Sequence, residues 1–432
     1  MKINGKKFTF VTLGCRVNLF ESSSIIETMR KKGGIYVEHL EDAQIIVINT
    51  CAVTNKASSK SAYFVNKACR SPVSEFVVVC GCSSQHTPKQ FQDEKVKILI
   101  GSKFKSRIPE LIEKCDGQQI VMVDNLMCEE EFETFEQYEY SVNTRAYIKI
   151  QDGCDFFCSY CLIPFVRGKQ RSLSDEIVVK TIENFRDHGF KEIVLTGVNT
   201  SGYHYKDVDF LSLLKKVNEI SGDFRIRVSS LEPFQINYKI IDLITENKSR
   251  FCQFFHLCLQ SANNEILKSM NRKYTIQEFE DLVAYIRKKS PDASICTDYI
   301  VGYPTETEEI FNSSLEELEK ISFSDMHIFQ YSKRDQTPAA HLKSLVSDTV
   351  KKQRYKIVEK LCEKWKTKYL KTFIGKYVDV IFEKNFENNQ QEGHTQYFFS
   401  VKVKTDKDLA NTKLKVLVEK FDKGMLNGKV VD

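Results

Sequence analysis

Ala146-Tyr147-Ile148-Lys149-Ile150-Gln151-Asp152-Gly153-Cys154-Asp155-Phe156-Phe157-Cys158-Ser159-Tyr160-Cys161 is the stretch on which the reading of this chain turns. Its first six residues have the β-branched and aromatic content of a buried strand. The loop that follows carries three cysteines at x3 and x2 spacing. Soft thiolate ligands select iron-sulfur clusters, zinc or copper(I). A compact loop of this kind can hold three corners of one cubane cluster, and it brings no fourth protein ligand. One coordination position is then left open, as it is in catalytic zinc sites. A structural zinc site would want a fourth Cys or His nearby, and none stands between Cys161 and His188. Tyr160 precedes the third cysteine, where its ring could stack on a bound adenine or line an apolar wall.

Downstream of this loop the strand-helix rhythm repeats. Strands are expected at Glu192–Thr196, Arg225–Ser229, Phe254–Leu259, Ser294–Val301 and Asp325–Gln330, with helices at Asp175–His188, Asp209–Ile220, Asn237–Glu246, Ile276–Ser290 and Thr307–Lys320. Six β/α units fit a partial (β/α)6 barrel better than an eight-fold one, which needs ~250 residues. Chemistry then belongs at the C-terminal ends of the strands.

Upstream, Phe8–Leu13, Gln44–Asn49, Phe76–Cys80 and Val96–Ile100 read as strands separated by helices, which implies a parallel sheet covered on both faces. Cys15, Cys51 and Cys82 each lie at or just past the C-terminal end of such a strand. Those ends converge on one edge, where ligands bind. Three thiols could therefore meet although 36 and 31 residues separate them. Three ordinary buried cysteines are the other reading.

The chain thus divides into an N-terminal parallel-sheet α/β domain (1–120), a central partial barrel (140–371) and a C-terminal domain (372–432). Leu126 to Tyr140 holds six glutamates and reads as a solvated linker. The helix expected over 348–371 carries nine lysines and arginines, either a solvated face or a contact for RNA phosphate. Val378–Phe382, Tyr397–Lys404 and Lys413–Glu419 alternate apolar and polar residues, as in a small antiparallel β-barrel of a kind that often binds oligonucleotides.

Composition excludes several classes. Among 432 residues, 42% are hydrophobic and 28% charged, the profile of a soluble globular chain. No run approaches the ~18 apolar residues of a membrane span, and Met-Lys-Ile-Asn-Gly-Lys-Lys at the start is no secretion signal. No membrane association and a cytoplasmic location are expected. Fourteen cysteines are too few for a disulfide scaffold. Cys69, Cys115, Cys252, Cys258, Cys296 and Cys362 lie in apolar contexts and read as small buried hydrophobes. The net charge of +5 does not by itself point to a nucleic acid.

The Cys154-x3-Cys158-x2-Cys161 loop after the first strand of a half-open barrel resembles the radical S-adenosylmethionine superfamily. Further segments resemble its methylthiotransferases: Leu13-Gly14-Cys15-Arg16-Val17-Asn18, Asn49-Thr50-Cys51-Ala52-Val53-Thr54-Asn55-Lys56-Ala57, Gly81-Cys82, Leu162-Ile163-Pro164-Phe165-Val166-Arg167-Gly168, Ser229-Ser230-Leu231-Glu232-Pro233 and Tyr331-Ser332-Lys333-Arg334. The segment around Gly393-His394-Thr395 resembles the TRAM domain, a small RNA-binding barrel. The resemblance covers almost the whole chain.

The resemblance implies two [4Fe-4S] clusters and S-adenosylmethionine as cofactors. The first cluster, on Cys154, Cys158 and Cys161, would bind S-adenosylmethionine at its open iron and cleave it to a 5′-deoxyadenosyl radical. The second, on Cys15, Cys51 and Cys82, would be the source or carrier of the inserted sulfur. Catalysis would rest on Cys154, Cys158, Cys161 and Cys51. Cys80 is the rival of Cys82, because strand alternation puts both on one face. Tyr160, Gly197, Glu232 and Gln260 are candidate contacts for S-adenosylmethionine; a barrel-mouth salt bridge or turn hydrogen bond is the other role for Glu232 and Gln260. His256 and His327 read as satisfied interior residues. Arg167 and Arg171 face either RNA phosphate or an internal carboxylate.

Within the family the resemblance is greatest to the branch that modifies threonylcarbamoyl-adenosine beside the tRNA anticodon. Sister branches act on isopentenyl-adenosine in tRNA or on an aspartate of a ribosomal protein. A tRNA substrate, a reducing electron donor and a sulfur source are the implied partners. A zinc-stabilised RNA-binding protein without catalysis is the alternative from another class. Gln336, Ala262 and Ser83-Ser84 depart from the family pattern and bear on the shape of the substrate loops.

Overall fold

The computed structural model describes residues 2–135, 144–343 and 346–431. They form two compact units. The first comprises the N-terminal residues with 149–173 and 332–337; the second comprises 174–331 with the short stretch ending at Ile148 and the chain from Pro338 onward.

In the first unit, β1 (Lys7–Thr12), β2 (Ile35–Tyr36), β3 (Ile45–Thr50), β4 (Phe76–Gly81), β5 (Val96–Ile100) and β6 (Ile120–Met122) form one sheet in the order β2-β1-β3-β4-β5-β6. Every pairing is parallel. All residues of β3 and β4 are buried, as a parallel sheet covered on both faces requires. The covering helices are α1 (Arg16–Lys31), α2 (Asn55–Arg70), α3 (Cys82–His86) and α4 (Ile108–Lys114). The chain runs from β1 to β2 on one side and then returns to β3 on the other. The strand order therefore reverses between β1 and β3, the position where open α/β sheets bind ligands.

The glutamate-rich stretch is not uniformly solvated. Phe135 is buried and stacks edge-on against Phe20 of α1 at 5.7 Å. Glu133 accepts from the backbone and the hydroxyl of Ser106, both at 2.8 Å. The aromatic ring at Phe135 anchors a stretch whose charges alone read as solvated. Glu136 and Glu139 lie outside the described residues.

After β7 (Ala146–Lys149), the short strands β8 (Gln151–Asp152) and β9 (Arg171–Ser172) pair antiparallel around the cysteine loop and α5 (Ile163–Arg167). In the second unit follow α6 (Asp175–Asp187), β10 (Glu192–Thr196), the ribbon β11 (His204–Tyr205) and β12 (Val208–Asp209), α7 (Phe210–Glu219), β13 (Arg225–Val228), α8 (Tyr238–Thr245), β14 (Phe254–His256), α9 (Asn264–Ser269), α10 (Ile276–Lys289), β15 (Ser294–Val301), α11 (Glu308–Ile321) and β16 (Asp325–Gln330). The barrel strands make two three-stranded sheets, β13-β10-β7 and β14-β15-β16. Single bridges at Ile226–Phe251 and Leu231–Leu257 join them into an arc of six. Side-chain caps start most of the helices: Asp209, Asn237, Asn263, Thr275 and Thr307 each accept a backbone N–H at their helix N-terminus.

The 24-residue α12 (Asp348–Lys371) is the basic helix. Several of its cations are taken by the barrel. Arg354 pairs with Glu306, Lys364 with Glu319 and Lys366 with Asp325, all at 2.7 Å. The chain ends in a closed five-stranded barrel of β17 (Tyr377–Glu387), β18 (Gln390–Thr395), β19 (Ser400–Lys404), β20 (Lys413–Asp422) and β21 (Met425–Val430). Its pairings are antiparallel except for β19 with β21. Glu192 holds Arg225 at 2.7 Å and Arg227 at 2.9 Å. Those two arginines donate in turn to the carbonyls of Asp379, His394, Thr395 and Gln396. This buried fork docks the small barrel on the strands.

Candidate functional site

The three N-terminal cysteines follow three adjacent strands. Cys51 and Cys82 immediately succeed β3 and β4, and Cys15 comes three residues after the end of β1, at the N-cap of α1. The register sets Thr12 beside Asn49 and Thr50 beside Gly81, which levels the three strand ends. Asn18 ties them together, donating from Nδ2 to the Leu13 carbonyl at 2.7 Å and to the Thr50 carbonyl at 3.1 Å. A β-carbon on Gly14 would come within 2.7 Å of the Cys51 sulfur, so only glycine leaves room for that thiol.

The thiols are close enough to affect one another. Burial pushes the Cys51 thiol up to about 11, and Cys82 adds to the rise. Crowding by protein raises the Cys15 thiol, against the pull of Arg167 and with the push of Cys82, although the residue as a whole presents surface to solvent. Donors reach all three sulfurs: the Val53 N–H lies 3.5 Å from the Cys51 sulfur, the Ser102 hydroxyl 3.8 Å from the Cys82 sulfur, and the Asn18 backbone N–H bonds the Cys15 sulfur. Such bonds tune iron-sulfur clusters. Cys80 has different surroundings. It lies inside β4 with no exposed surface, and burial holds its thiol at about 12, with Lys105 and Glu21 as its nearest charges. The turn at Gly81 separates the two cysteines that strand alternation alone would put on one face.

In the second constellation Cys158 is buried while Cys154 and Cys161 are partly exposed. The loop is closed by the Cys154 N–H on the Gly168 carbonyl at 3.0 Å and the Cys161 N–H on the Cys158 carbonyl at 2.9 Å. The Ile163 N–H points to the Cys161 sulfur at 3.4 Å. Gly153, at φ +70°, lies against the chain that leaves α5, where a β-carbon would stand 1.9 Å from the Lys169 carbonyl oxygen. We expect Gly153→Ala to displace Cys154, to lower the iron retained after anaerobic reconstitution, read by iron assay, and to lower the melting temperature as well, because the added β-carbon meets backbone at a positive φ.

One apolar wall serves both cysteine sets. Leu162 and Val166, just past Cys161, pack with Ala52 and Cys82 in one buried cluster, with Ile163 and Phe165 against it. Beneath it lies a buried ionic network. Glu21 on α1 accepts from Lys105 at 2.5 Å, Lys149 at 3.1 Å and Arg167 at 3.0 Å, and Asp152 accepts from Lys149 and Arg167. Arg167 also donates to Asn18 Oδ1 at 2.7 Å. Burial alone would raise the Glu21 carboxyl, but Arg167, Lys105 and Lys149 together hold it well below the carboxylate range. Removing one partner of a buried ion set costs about 3–5 kcal/mol. Glu21→Gln should therefore lower stability by about that amount in denaturant titration. The wild-type stability from this carboxylate is complete above the unfolded carboxylate range and is lost as pH falls into the acid region, so the gap between the two proteins should narrow at low pH.

Arg167 thus faces internal carboxylates. Arg171 donates to the carbonyls of Lys169 and Arg167, both at 2.9 Å. Cys69, Cys115, Cys252, Cys258, Cys296 and Cys362 are all buried. In the second unit, Gly197 directly follows the C-terminal end of β10, and Glu232 and Gln260 lie in the segments after β13 and β14. Glu232 is clamped by Arg272, with Nη1 at 3.2 Å and Nη2 at 2.5 Å. His256 Nε2 and His327 Nδ1 share Asp298 Oδ1 at 3.1 and 3.0 Å. The His327 side chain is 59% exposed, so it is not the interior residue expected. It sits on β16, where alternation turns every second side chain outward.

Arg334, from the Tyr331-Ser332-Lys333-Arg334 segment, reaches the helix α2. Its Nη1 donates to Asn55 Oδ1 at 2.7 Å, at the N-terminus of the helix that follows Cys51. The chain thus carries two cysteine triads, one at the ends of adjacent strands of a parallel sheet and one in a loop that follows a strand. Residues 148–318 match the Radical SAM superfamily, and residues 7–101 match the Uncharacterized protein family UPF0004. A relative from Bacillus subtilis (strain 168), named threonylcarbamoyladenosine tRNA methylthiotransferase MtaB, is 33% identical, with 95% of this chain and 93% of that one aligned. The chain belongs to the radical SAM methylthiotransferases.

A relative of the same name from Aquifex aeolicus (strain VF5) is 35% identical over 88% of this chain and 93% of its own length. A relative from Acetivibrio thermocellus, named tRNA-2-methylthio-N(6)-dimethylallyladenosine synthase, is 31% identical over 99% and 92%. Among solved structures, the radical S-adenosylmethionine methyltransferase TsrM from Kitasatospora setae superposes with a TM-score of 0.57 at 13% identity, covering 78% of this chain and 75% of that one, which shows a shared fold. Membership of the family implies S-adenosylmethionine and a [4Fe-4S] cluster. The Cys154, Cys158 and Cys161 loop fits the cluster by its donor set and by the backbone N–H at a sulfur. The alternative of a non-catalytic zinc module is set aside. Among the described residues no helix is long and apolar enough to cross a membrane.

Proposed function

We propose that this chain converts N6-threonylcarbamoyladenosine beside the tRNA anticodon to its 2-methylthio derivative, using S-adenosylmethionine and two [4Fe-4S] clusters. The observation that carries the proposal is the apolar wall of Leu162 and Val166, which packs with Cys82 and Ala52 beside one cysteine triad and directly follows Cys161 of the other. Carbon 2 of the purine bears no acidic proton that a general base could remove, so a radical is required. When bound, the first cluster would supply an electron for reductive cleavage of S-adenosylmethionine.

The chain's own residues do the rest. Cys154, Cys158 and Cys161 would hold the first cluster, and Cys15, Cys51 and Cys82 the second. Tyr160, Gly197, Glu232 and Gln260 would position S-adenosylmethionine, with Arg272 fixing the Glu232 carboxylate. Leu162, Val166 and Ala52 exclude water between α5 and the three strand ends. The small C-terminal barrel and the α12 lysines not drawn into the barrel's ion pairs would take tRNA phosphate. A cytoplasmic location, a reducing electron donor and a sulfur source follow from the same reading. The relatives named for threonylcarbamoyladenosine support this substrate over dimethylallyladenosine, the second reading that the Acetivibrio thermocellus relative favours.

Mass spectrometry of tRNA nucleosides from cells with and without the protein decides between them. We expect the 2-methylthio-threonylcarbamoyl nucleoside to vanish and its unthiolated precursor to accumulate. Loss of the methylthio-dimethylallyl nucleoside instead would transfer the chain to the sister branch.

A further inference from the structure

Arg334 is 6% exposed and makes no ion pair with a carboxylate among the described residues. Its guanidinium meets only neutral oxygens, Asn55 Oδ1 at 2.7 Å and Ser58 Oγ at 3.4 Å. Nε and Nη2, one whole edge of the fork, are buried without a hydrogen-bond partner. Asp335 is within electrostatic reach but its residue is exposed, and Cys51 is within the same reach. The segment is fixed in place, because the Asn55 N–H donates to Ser332 Oγ at 3.0 Å. Buried polar groups are almost always satisfied, and an unpaired buried charge is costlier still. A planar edge of two N–H donors fits an anion that accepts both.

A second arginine shows the same defect. The Arg167 Nη atoms are saturated by Glu21, Asp152 and Asn18, yet its buried Nε also lacks a partner. Cys15 and Cys82 are within its electrostatic reach. Arg167, Lys105 and Lys149 face two ion-paired carboxylates, Glu21 and Asp152, so the network carries one cation more than its pairs require. Glu133, whose burial favours its neutral form, hydrogen-bonds Ser106 and none of the three cations.

We propose that Arg334, seconded by Arg167, is the counter-ion of the anionic iron-sulfur group held by Cys15, Cys51 and Cys82, donating to its sulfur through the Nε/Nη2 edge. This rests on the two-cluster reading above. Arg334 is then a positioning residue that sets the reduction potential of that group, since charge and hydrogen bonds at the sulfurs fix the potential.

The test is a potentiometric titration followed by electron paramagnetic resonance on anaerobically reconstituted full-length Arg334→Gln and Arg334→Lys, with iron counted in parallel. Wild type should hold about eight irons; about four would overturn the two-cluster reading and this proposal with it. In Arg334→Gln the midpoint of the signal that disappears in Cys51→Ala should move to more negative values, while the signal that disappears in Cys154→Ala stays in place. Arg334→Lys keeps the charge without the fork and should restore part of the shift. If Arg334→Gln loses the second cluster altogether, its retention in Arg334→Lys supports the proposal and its loss there overturns it. Full iron with an unmoved midpoint would also overturn it. So would a raised KM for threonylcarbamoyl-tRNA as the sole effect, which would assign the fork to the substrate's carboxylate.

Discussion

Cys154→Ala protein, purified without oxygen, will form no 5′-deoxyadenosine from S-adenosylmethionine, and it will keep about half of the wild-type iron. The argument starts from the loop. Cys154 opens it directly after Gly153 and is held by its own N–H on the Gly168 carbonyl, so its sulfur has a fixed origin that no neighbouring residue can copy. Its two companions sit at x3 and x2 spacing on the same short turn. Loss of one leaves two thiols where three are needed to define a site with a single open position. The fold should survive. Cys154 is only partly buried, and the Glu21, Asp152 and Arg167 network that anchors this segment is untouched. Liquid chromatography of the nucleoside products gives the result directly. Continued formation of 5′-deoxyadenosine at the wild-type rate would remove Cys154 from the radical site and with it the assignment of this loop.

How much of this was legible beforehand depends on which physical signal each element leaves. Val96–Ile100, Glu192–Thr196, Ser294–Val301 and Asp325–Gln330 appear at the residues expected, because apolar runs bounded by polar residues specify their own ends. The two-residue strand Ile35–Tyr36 and the short helix Asn264–Ser269 left too little periodicity to be seen, and strand Ile120–Met122 is only half buried. The convergence of Cys15, Cys51 and Cys82 could be anticipated from strand ends alone. Strand alternation alone leaves Cys80 level with Cys82; that Cys80 stays inside β4 while Cys82 opens α3 depends on the chain turning at Gly81. The buried network was invisible for a different reason. Glu21 sits in an ordinary helical pattern, and its three cations come from Lys105, Lys149 and Arg167, up to 146 residues away, so no local pattern pairs them. Arg334 is the extreme case: what marks it is a buried Nε/Nη2 edge without partners, which only the folded chain displays.

Cys51→Ala should give the opposite phenotype to Cys154→Ala: 5′-deoxyadenosine continues to form while methylthio product falls to background. Cys51 belongs to the sheet edge and not to the loop. Its N–H is held by Ser61 Oγ at 3.1 Å, its sulfur fills the space left by Gly14, and the Cys154–Cys161 turn is closed by its own backbone bonds to Gly168 and Cys158. Its replacement opens a small cavity beside Ala52 but leaves Leu162 and Val166 packed on Cys82, so the radical loop keeps its footing. The iron count should again fall to about half, this time with the other half lost. Product and 5′-deoxyadenosine measured in the same reaction make the comparison internal, because a misfolded variant would lose both. Methylthio product at the wild-type level from Cys51→Ala would show that the sulfur does not pass through the three-cysteine edge, and the arginines beside it would then need another anion.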